Sequence, residues 1–259
     1  MDNVYQHFRK DEAPFIDRMQ EAIAQAASEY RPILTPFLDP RQIYITTVLA
    51  GSGEGVKVLP FGGYPGAERQ RVLVAPDYFE PTTADYELAL LTIKYPEKFA
   101  TLDHSHVLGT LVNAGIDRDL FGDILTDGAT WQVVVAASMS DWVQTNVDKI
   151  GRIGVRLEAT ALTAIIRPQN DWEPLQTTVP ALRIDAVIAH VFKLSRTRAK
   201  SLIEGEKVRL NFATTTRPDL EIGEHDLLSV RGFGRLRVAA LLGTTKKDKL
   251  RVAFDVIHK

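Results

Sequence analysis

The chain has 259 residues, enough for one large domain or two to three small ones. Hydrophobic residues make up 45% and charged residues 25%, a globular balance that argues against large-scale disorder. There is no cysteine, which excludes disulfides, thiolate nucleophiles and Cys-based zinc sites, and the net charge is only −2.

That small net charge hides an uneven distribution. Residues 1–110 carry 10 Lys/Arg against 15 Asp/Glu, and residues 111–181 carry 5 against 9. Residues 182–259 carry 16 against 9, a balance of +7. A basic end on an acidic body predicts that the C-terminal part meets a polyanion while the rest does something else. The opening Met1-Asp2-Asn3-Val4-Tyr5-Gln6-His7 lacks the apolar core of a signal peptide. No apolar run approaches the ~20 residues that span a bilayer. A soluble cytoplasmic protein without a membrane partner is the expectation.

In residues 1–80, Phe8, Phe15, Met19, Ile23 and Ala27 recur at mostly fourfold spacing and predict a helix, with Pro14 near its start. Asp39-Pro40 predicts an N-cap with proline at the first helical position, and Gly51-Ser52-Gly53 a helix end. Val56–Leu59 and Arg71–Val74 read as strands on either side of a glycine-rich turn region. The segment is expected to be a small α/β domain.

Residues 82–166 give a strand at Leu88–Ile93, a helix at Val107–Asn113 ended by Gly115, and a strand at Gly122–Leu125 turned by Asp127-Gly128. The β-branched run Trp131–Ala137 predicts a strand, Ser140 a cap for a following helix, and Val155–Ala159 a last strand. The order βαββαβ predicts a ferredoxin-like, RRM-like domain. The proline-punctuated residues 167–180 read as a linker. The fold class expected for the whole is α+β.

Residues 181–259 form the third predicted domain. Ile184, Val187, Ile188 and Val191 follow i, i+3, i+4, i+7 spacing, so a helix buries that stripe. Ser195 predicts the N-cap of a second helix whose apolar face is Ala199, Leu202 and Ile203, with Gly205 as its stop. Val208 and Leu210 alternate with Lys207, Arg209 and Asn211 in a strand. A turn at Ile222-Gly223-Glu224 leads into Leu227–Arg231, and Gly232 and Gly234 permit a sharp reversal. Two short helices and a strand pair would thus present cations on one side, a combination suited to phosphate. The residues singled out for RNA contact are Arg183, Ser195, Arg196, Arg198, Lys200, Lys207, Arg209, Asn211, Arg231 and Arg235.

This C-terminal pattern resembles the S4 RNA-binding module, the small α-L unit shared by ribosomal protein S4 and many translation-associated proteins. Three further stretches resemble signatures of YlmH-type S4 proteins: Phe61-Gly62-Gly63-Tyr64-Pro65-Gly66-Ala67-Glu68-Arg69; His104-Ser105-His106-Val107-Leu108-Gly109; and Gly115-Ile116-Asp117-Arg118 with Phe121-Gly122-Asp123-Ile124-Leu125. His106 stands where the family would place an acidic residue. The resemblance implies a non-catalytic, ribosome-associated RNA-binding protein acting in ribosome-associated quality control. Its implied partners are large-subunit ribosomal RNA and tRNA, and it implies no cofactor. The middle domain would correspond to the family's RRM-like unit, yet it offers only Trp131 and Tyr95 as sheet aromatics for stacking.

Other readings of the same residues stay open. Asp103, His104 and His106 could hold a metal or simply cap a helix, although a His-x-His pair lacks evident third and fourth ligands. Arg69 could touch RNA or serve a structural role with Glu68. Gly234-Arg235-Leu236-Arg237 superficially resembles a pseudouridine-synthase motif, but Arg237 occupies the catalytic aspartate position, so an RNA-modifying enzyme is disfavoured. The non-RNA alternative is a protein-interaction adaptor linked to cell division, with its partner on the acidic N-terminal domains.

Overall fold

The computed structural model describes residues 8–51, 55–167, 171–246 and 248–259. The expected helix stop at Ser52-Gly53, the expected linker residues 168–170 and the opening seven residues lie outside the described residues. Helices and strands are mixed throughout, in two compact units, Met1–Gln169 and Asn170–Lys259.

The first unit opens with helix α1 (Ala13–Glu29), which buries Phe15, Ile16, Met19 and Ala26. Pro14 lies in its first turn, where a missing N–H costs no hydrogen bond. Strand β1 (Ile33–Leu38) follows, then helix α2 (Pro40–Gly51). A reciprocal cap starts α2: Gln42 N–H donates to Asp39 Oδ1 at 2.9 Å, and Asp39 N–H donates to Gln42 Oε1 at 3.0 Å. Strands β2 (Val56–Phe61) and β3 (Gln70–Pro76) complete an antiparallel sheet of order β1-β3-β2. The sequence did not reveal β1, because Pro36 interrupts it and its register slips between Leu34 and Phe37. At a sheet edge both irregularities are tolerated.

A second antiparallel sheet lies in the same unit. It is built from β4 (Leu88–Lys94), helix α3 (His104–Asn113), β5 (Phe121–Thr126), β6 (Trp131–Ala136), helix α4 (Ser140–Asn146), the short hairpin β7 (Lys149–Ile150) and β8 (Ile153–Gly154), and β9 (Arg156–Thr160). Its strand order is β5-β6-β4-β9, while β7 and β8 pair only with each other. Ser140 is not the cap of α4: a 3₁₀ turn, Ala137–Met139, runs straight into the helix, and Met139 holds the cap position without a side-chain bond.

Both faces of this sheet are covered. On one, Leu91, Ile93, Trp131, Val133 and Val135 pack with Val107 and Leu111 of α3 and Val143 of α4. On the other, Leu90, Val134 and Ala136 pack against Phe37 of β1, with Leu162 and Ile165 alongside. Tyr64 and Ala67, from the β2–β3 connection, cover Leu125. Gly63 has φ +98°, and a Cβ there would stand 3.2 Å from Leu162 and 3.3 Å from Ile165, so that connection lies flat on the sheet. Buried Gln132 is fully engaged, donating to Ala164 O at 3.1 Å and accepting from Ile166 N–H at 2.7 Å.

In the second unit, the residues expected to form the end of a linker are instead strand β10 (Glu173–Val179), paired along its whole length with the last strand. Its flanking prolines mimic a linker in sequence, but β10 is an edge strand, where Pro174 is accommodated. Helices α5 (Ile184–Val191) and α6 (Arg196–Glu204) follow, then β11 (Val208–Leu210), β12 (Ala213–Thr214), β13 (Leu227–Val230), β14 (Gly234–Thr244) and β15 (Leu250–His258). The sheet order is β10-β15-β14-β13-β11-β12. The expected strand pair is therefore the inner part of a wider sheet. Ile184, Val187, Ile188, Ala199, Leu202 and Ile203 pack on Val208, Leu228, Val230, Leu236, Val238 and Phe254, so both helices cover one sheet face. Residues alternating with those core positions point to the opposite face. Gly234 has φ +138°, and a Cβ there would fall 1.9 Å from Ile257 O; only glycine lets β14 begin against β15.

Candidate nucleic-acid interface

The helix pair organises its cations around one carboxylate. Asp185, in the first turn of α5, is 6% exposed. It accepts from Arg196 Nη2 at 2.8 Å and from Arg183 Nε and Nη2 at 3.2 Å each. Burial pushes the Asp185 carboxyl up, but the hydrogen bonds and charges of Arg183 and Arg196 outweigh it and hold the group below the usual carboxylate range. The same bond raises the Arg183 guanidinium. Two arginines share this one buried anion, Arg183 also feels the charges of Asp219 and Glu221, and the arginine side chains stay 40% and 58% exposed. Asp185 therefore fixes their direction without neutralising both.

Ser195 caps α6 by accepting from Arg198 N–H at 3.1 Å, which places Arg196, Arg198 and Lys200 on the first turns of that helix. Arg198 is exposed and makes no ion pair among the described residues. Lys200 faces Glu204 at 3.6 Å, a solvent-exposed i,i+4 pair of little strength. Lys207 and Arg231, both exposed, meet through Arg231 N–H and Lys207 O at 2.9 Å, where β11 and β13 lie side by side.

The remaining predicted residues go elsewhere. Arg209 and Arg235 lie on the sheet face turned away from the helices, so the expectation that all the cations share one side is corrected by the alternation of the strands. Asn211 has φ +45°, and its amide is used inside the fold: Nδ2 donates to Asp226 Oδ1 at 2.7 Å and Oδ1 accepts from Leu227 N–H at 2.9 Å. The sequence reading overlooked Trp172. Arg237 lies 4.7 Å and Arg235 5.5 Å from its ring centroid, and Arg237 also pairs with Asp255 at 2.7 Å. A tryptophan directly before an alternating strand was the available signal.

In the first unit, the signature stretches lock onto one another. Asp123 of β5 accepts from Tyr64 Oη at 2.7 Å, Glu68 N–H at 2.7 Å and Arg69 N–H at 3.1 Å. Arg69, 5% exposed, donates from Nη2 to Phe37 O at 2.8 Å and to Arg118 O at 3.1 Å. Arg118 donates from Nη1 to Phe121 O at 2.6 Å, and its guanidinium lies 4.2 Å from the Phe121 ring centroid. Burial, reinforced by the charge of Arg69, pulls Arg118 down to about 9, and burial pushes Asp123 up. Of the two roles open to Arg69, these contacts select the structural one. Asp103 caps α3, accepting from His106 N–H at 3.0 Å, while His106 Nδ1 reaches Asp103 Oδ2 at 2.5 Å. Among the described residues, no group of three or more His, Asp or Glu could hold a metal. Trp131 is 6% exposed on the helix-covered face of its sheet and offers no stacking surface.

Fold and surface together define a mixed α+β protein with a basic C-terminal unit and a tightly interlocked N-terminal one. Among the described residues, no helix is long and apolar enough to cross a membrane. Family models described as "YlmH, N-terminal" and "Putative RNA-binding domain in YlmH" match residues 11–79 and 81–164. The chain is 38% identical over 255 residues to the "Ribosome-associated protein quality control protein P2" of Bacillus subtilis, spanning 98% of this chain and 99% of that one. A solved structure, the "Cell division protein ylmH from Streptococcus pneumoniae", is similar at 40% identity and a TM-score of 0.54, covering 63% of this chain and 99% of its own. The chain belongs to the YlmH family.

Proposed function

We propose that this protein is a non-catalytic RNA-binding protein that associates with the large ribosomal subunit and acts in the handling of stalled translation. The observation that carries the reading is the Asp185 clamp, which aims Arg183 and Arg196 outward beside the exposed Arg198 and Lys200. Such oriented, solvent-reaching guanidiniums beside exposed cations suit the phosphates of structured RNA. The name of the Bacillus relative supports the ribosomal setting. Ribosomal RNA is the primary partner in this reading, tRNA the second, and the cytoplasm the place. Residues 181–259 act as an S4 module, extended by β10. Residues 82–166 form a ferredoxin-like domain, a reading supported by the order β5-β6-β4-β9. RNA contact through that sheet in the manner of an RRM is disfavoured, since the face away from the helices is packed with Phe37, Tyr64 and Ile165.

The test is Arg198→Glu combined with Lys200→Glu, which spares the Asp185 clamp. The variant should lose cosedimentation with ribosomal particles while its thermal melt stays within about 2 °C of wild type, the surface-substitution range. Undiminished cosedimentation would refute the α6 assignment. The streptococcal name favours a second reading, a cell-division adaptor. A partner held through an apolar interface would resist salt, whereas RNA binding should weaken steeply as salt rises.

A further inference from the structure

The face of the C-terminal sheet turned away from α5 and α6 has its own chemistry. Register pairs Arg209 with Ser229, Ser229 with Arg235, and Arg235 with Ile257. In the next row Arg237 pairs with Asp255, and Asp255 with Pro174. Two strand spacings separate Arg209 from Arg235, about 10 Å across the sheet. Arg251 of β15 is exposed and alternates with the buried Val252, so it belongs to this same face. Between these arginines lie small or half-buried groups, Ser229, Ala253 and Ile257. Of the strand acids, Asp255 lies here and pairs with Arg237, whereas Glu173 alternates in step with Leu175, which packs into the core beneath the helices.

Trp172 stands at the margin of this face, stacked by Arg237 and Arg235. An indole plate beside guanidinium planes, adjoining a row of cations, suits a ligand that offers both flat rings and anionic groups. It matches nucleotides whose bases are unstacked, because every base offers a π-face and every linkage a phosphate. A duplex would keep its bases out of reach of such a plate.

We propose that this outer sheet face is a second RNA contact, distinct from the helix pair, that takes unpaired nucleotides: a base stacks on the Trp172–Arg237 platform and the following phosphates meet Arg235, Arg209 and Arg251. The inference rests on the reading of the chain as an RNA-binding protein. It gives the C-terminal unit two working faces, one for structured RNA and one for a single strand.

Emission from Trp172 provides the test. In full-length protein carrying Trp142→Phe, the remaining indoles are Trp172 and the buried Trp131. A uridine-rich RNA of about ten nucleotides should quench that emission saturably. Trp172→Ala, read by anisotropy of a labelled RNA, should weaken binding about tenfold, and Trp172→Phe should restore most of it. Arg209→Ala with Arg251→Ala should reduce the slope of log affinity against log salt by about 1.4. Arg198→Glu with Lys200→Glu should leave quenching intact. If wild type binds ribosomal particles yet shows no quenching, or if Trp172→Ala binds the short RNA as wild type does, the second face is refuted while the proposed function stands. If wild type binds neither particles nor the short RNA, both fall.

Discussion

Replacing Arg69 with alanine separates a structural arginine from an RNA-contacting one. Arg69 Nη2 bridges two carbonyls, Phe37 O in β1 and Arg118 O just before β5, tying the first sheet to the second. Alanine strands both acceptors in a site that is 5% exposed in wild type. A hydrogen bond from a charged donor contributes about 1.5–3 kcal/mol, so two lost bonds should cost the first unit about 3–6 kcal/mol. For a unit of this length each kcal/mol moves the melting temperature by roughly 2–4 °C, which puts the expected loss at 6 °C or more on the order-of-magnitude scale. Arg69→Lys should recover less than half, since the lysine Nζ ends one bond short of the Nη2 that makes both hydrogen bonds. The assay is thermal unfolding by circular dichroism, with ribosomal-particle cosedimentation measured on the same preparation below the transition. An unchanged melt together with lost cosedimentation would refute the structural assignment and return Arg69 to the RNA surface.

Three other outcomes follow from the geometry. Gly234→Ala should destabilise the second unit by about 3 kcal/mol or more, because its Cβ would meet Ile257 O at 1.9 Å with φ at +138°. Gly232→Ala, with φ +87° but nothing within 4 Å, should cost only about 1 kcal/mol, and urea midpoints compare the two. Asp185 is held below its ordinary carboxylate range in the folded state, so its contribution is present above the unfolded value of about 3.9 and lost as pH falls through the folded value. Asp185→Asn should accordingly lower the urea midpoint at neutral pH and narrow its gap to wild type in strong acid; an equal gap at both pH values contradicts the clamp. Arg198→Ala with Lys200→Ala should reduce the salt slope of structured-RNA binding by about 2, and an unaltered slope would remove both from the phosphate contacts.

Where local physics decides, the sequence was legible. The Asp39 and Ser195 caps, the α5 stripe and the Gly232–Gly234 reversal each depend on residues within a few positions of one another. Strands β1 and β10 were illegible for the opposite reason. Pro36 and Pro174 break the alternation that marks a strand, and only the edge positions supplied by distant chain make them tolerable. The candidate interface was half legible: charge and capping pointed to Arg196, Arg198 and Lys200, but not to the buried Asp185 that aims two of the arginines. Nor could the sequence show that Arg209 and Arg235 belong to the other side of a sheet whose width depends on β10 and β15. Arg69 and Asp123 lie 54 residues apart, and their coupling emerges only once the two sheets meet.

The roof that Phe37, Tyr64 and Ile165 place over Leu90, Val134 and Leu125 bears on how the chain can be cut and how it is born. A fragment starting after residue 80 would lose two of those three covers and bare a greasy patch, so it should self-associate, and adding residues 8–79 in trans should disperse it. Synthesis runs in the favourable direction, since the N-terminal cover leaves the ribosome before the strands that need it. The leading segment is thus already at hand to cover each strand as it emerges.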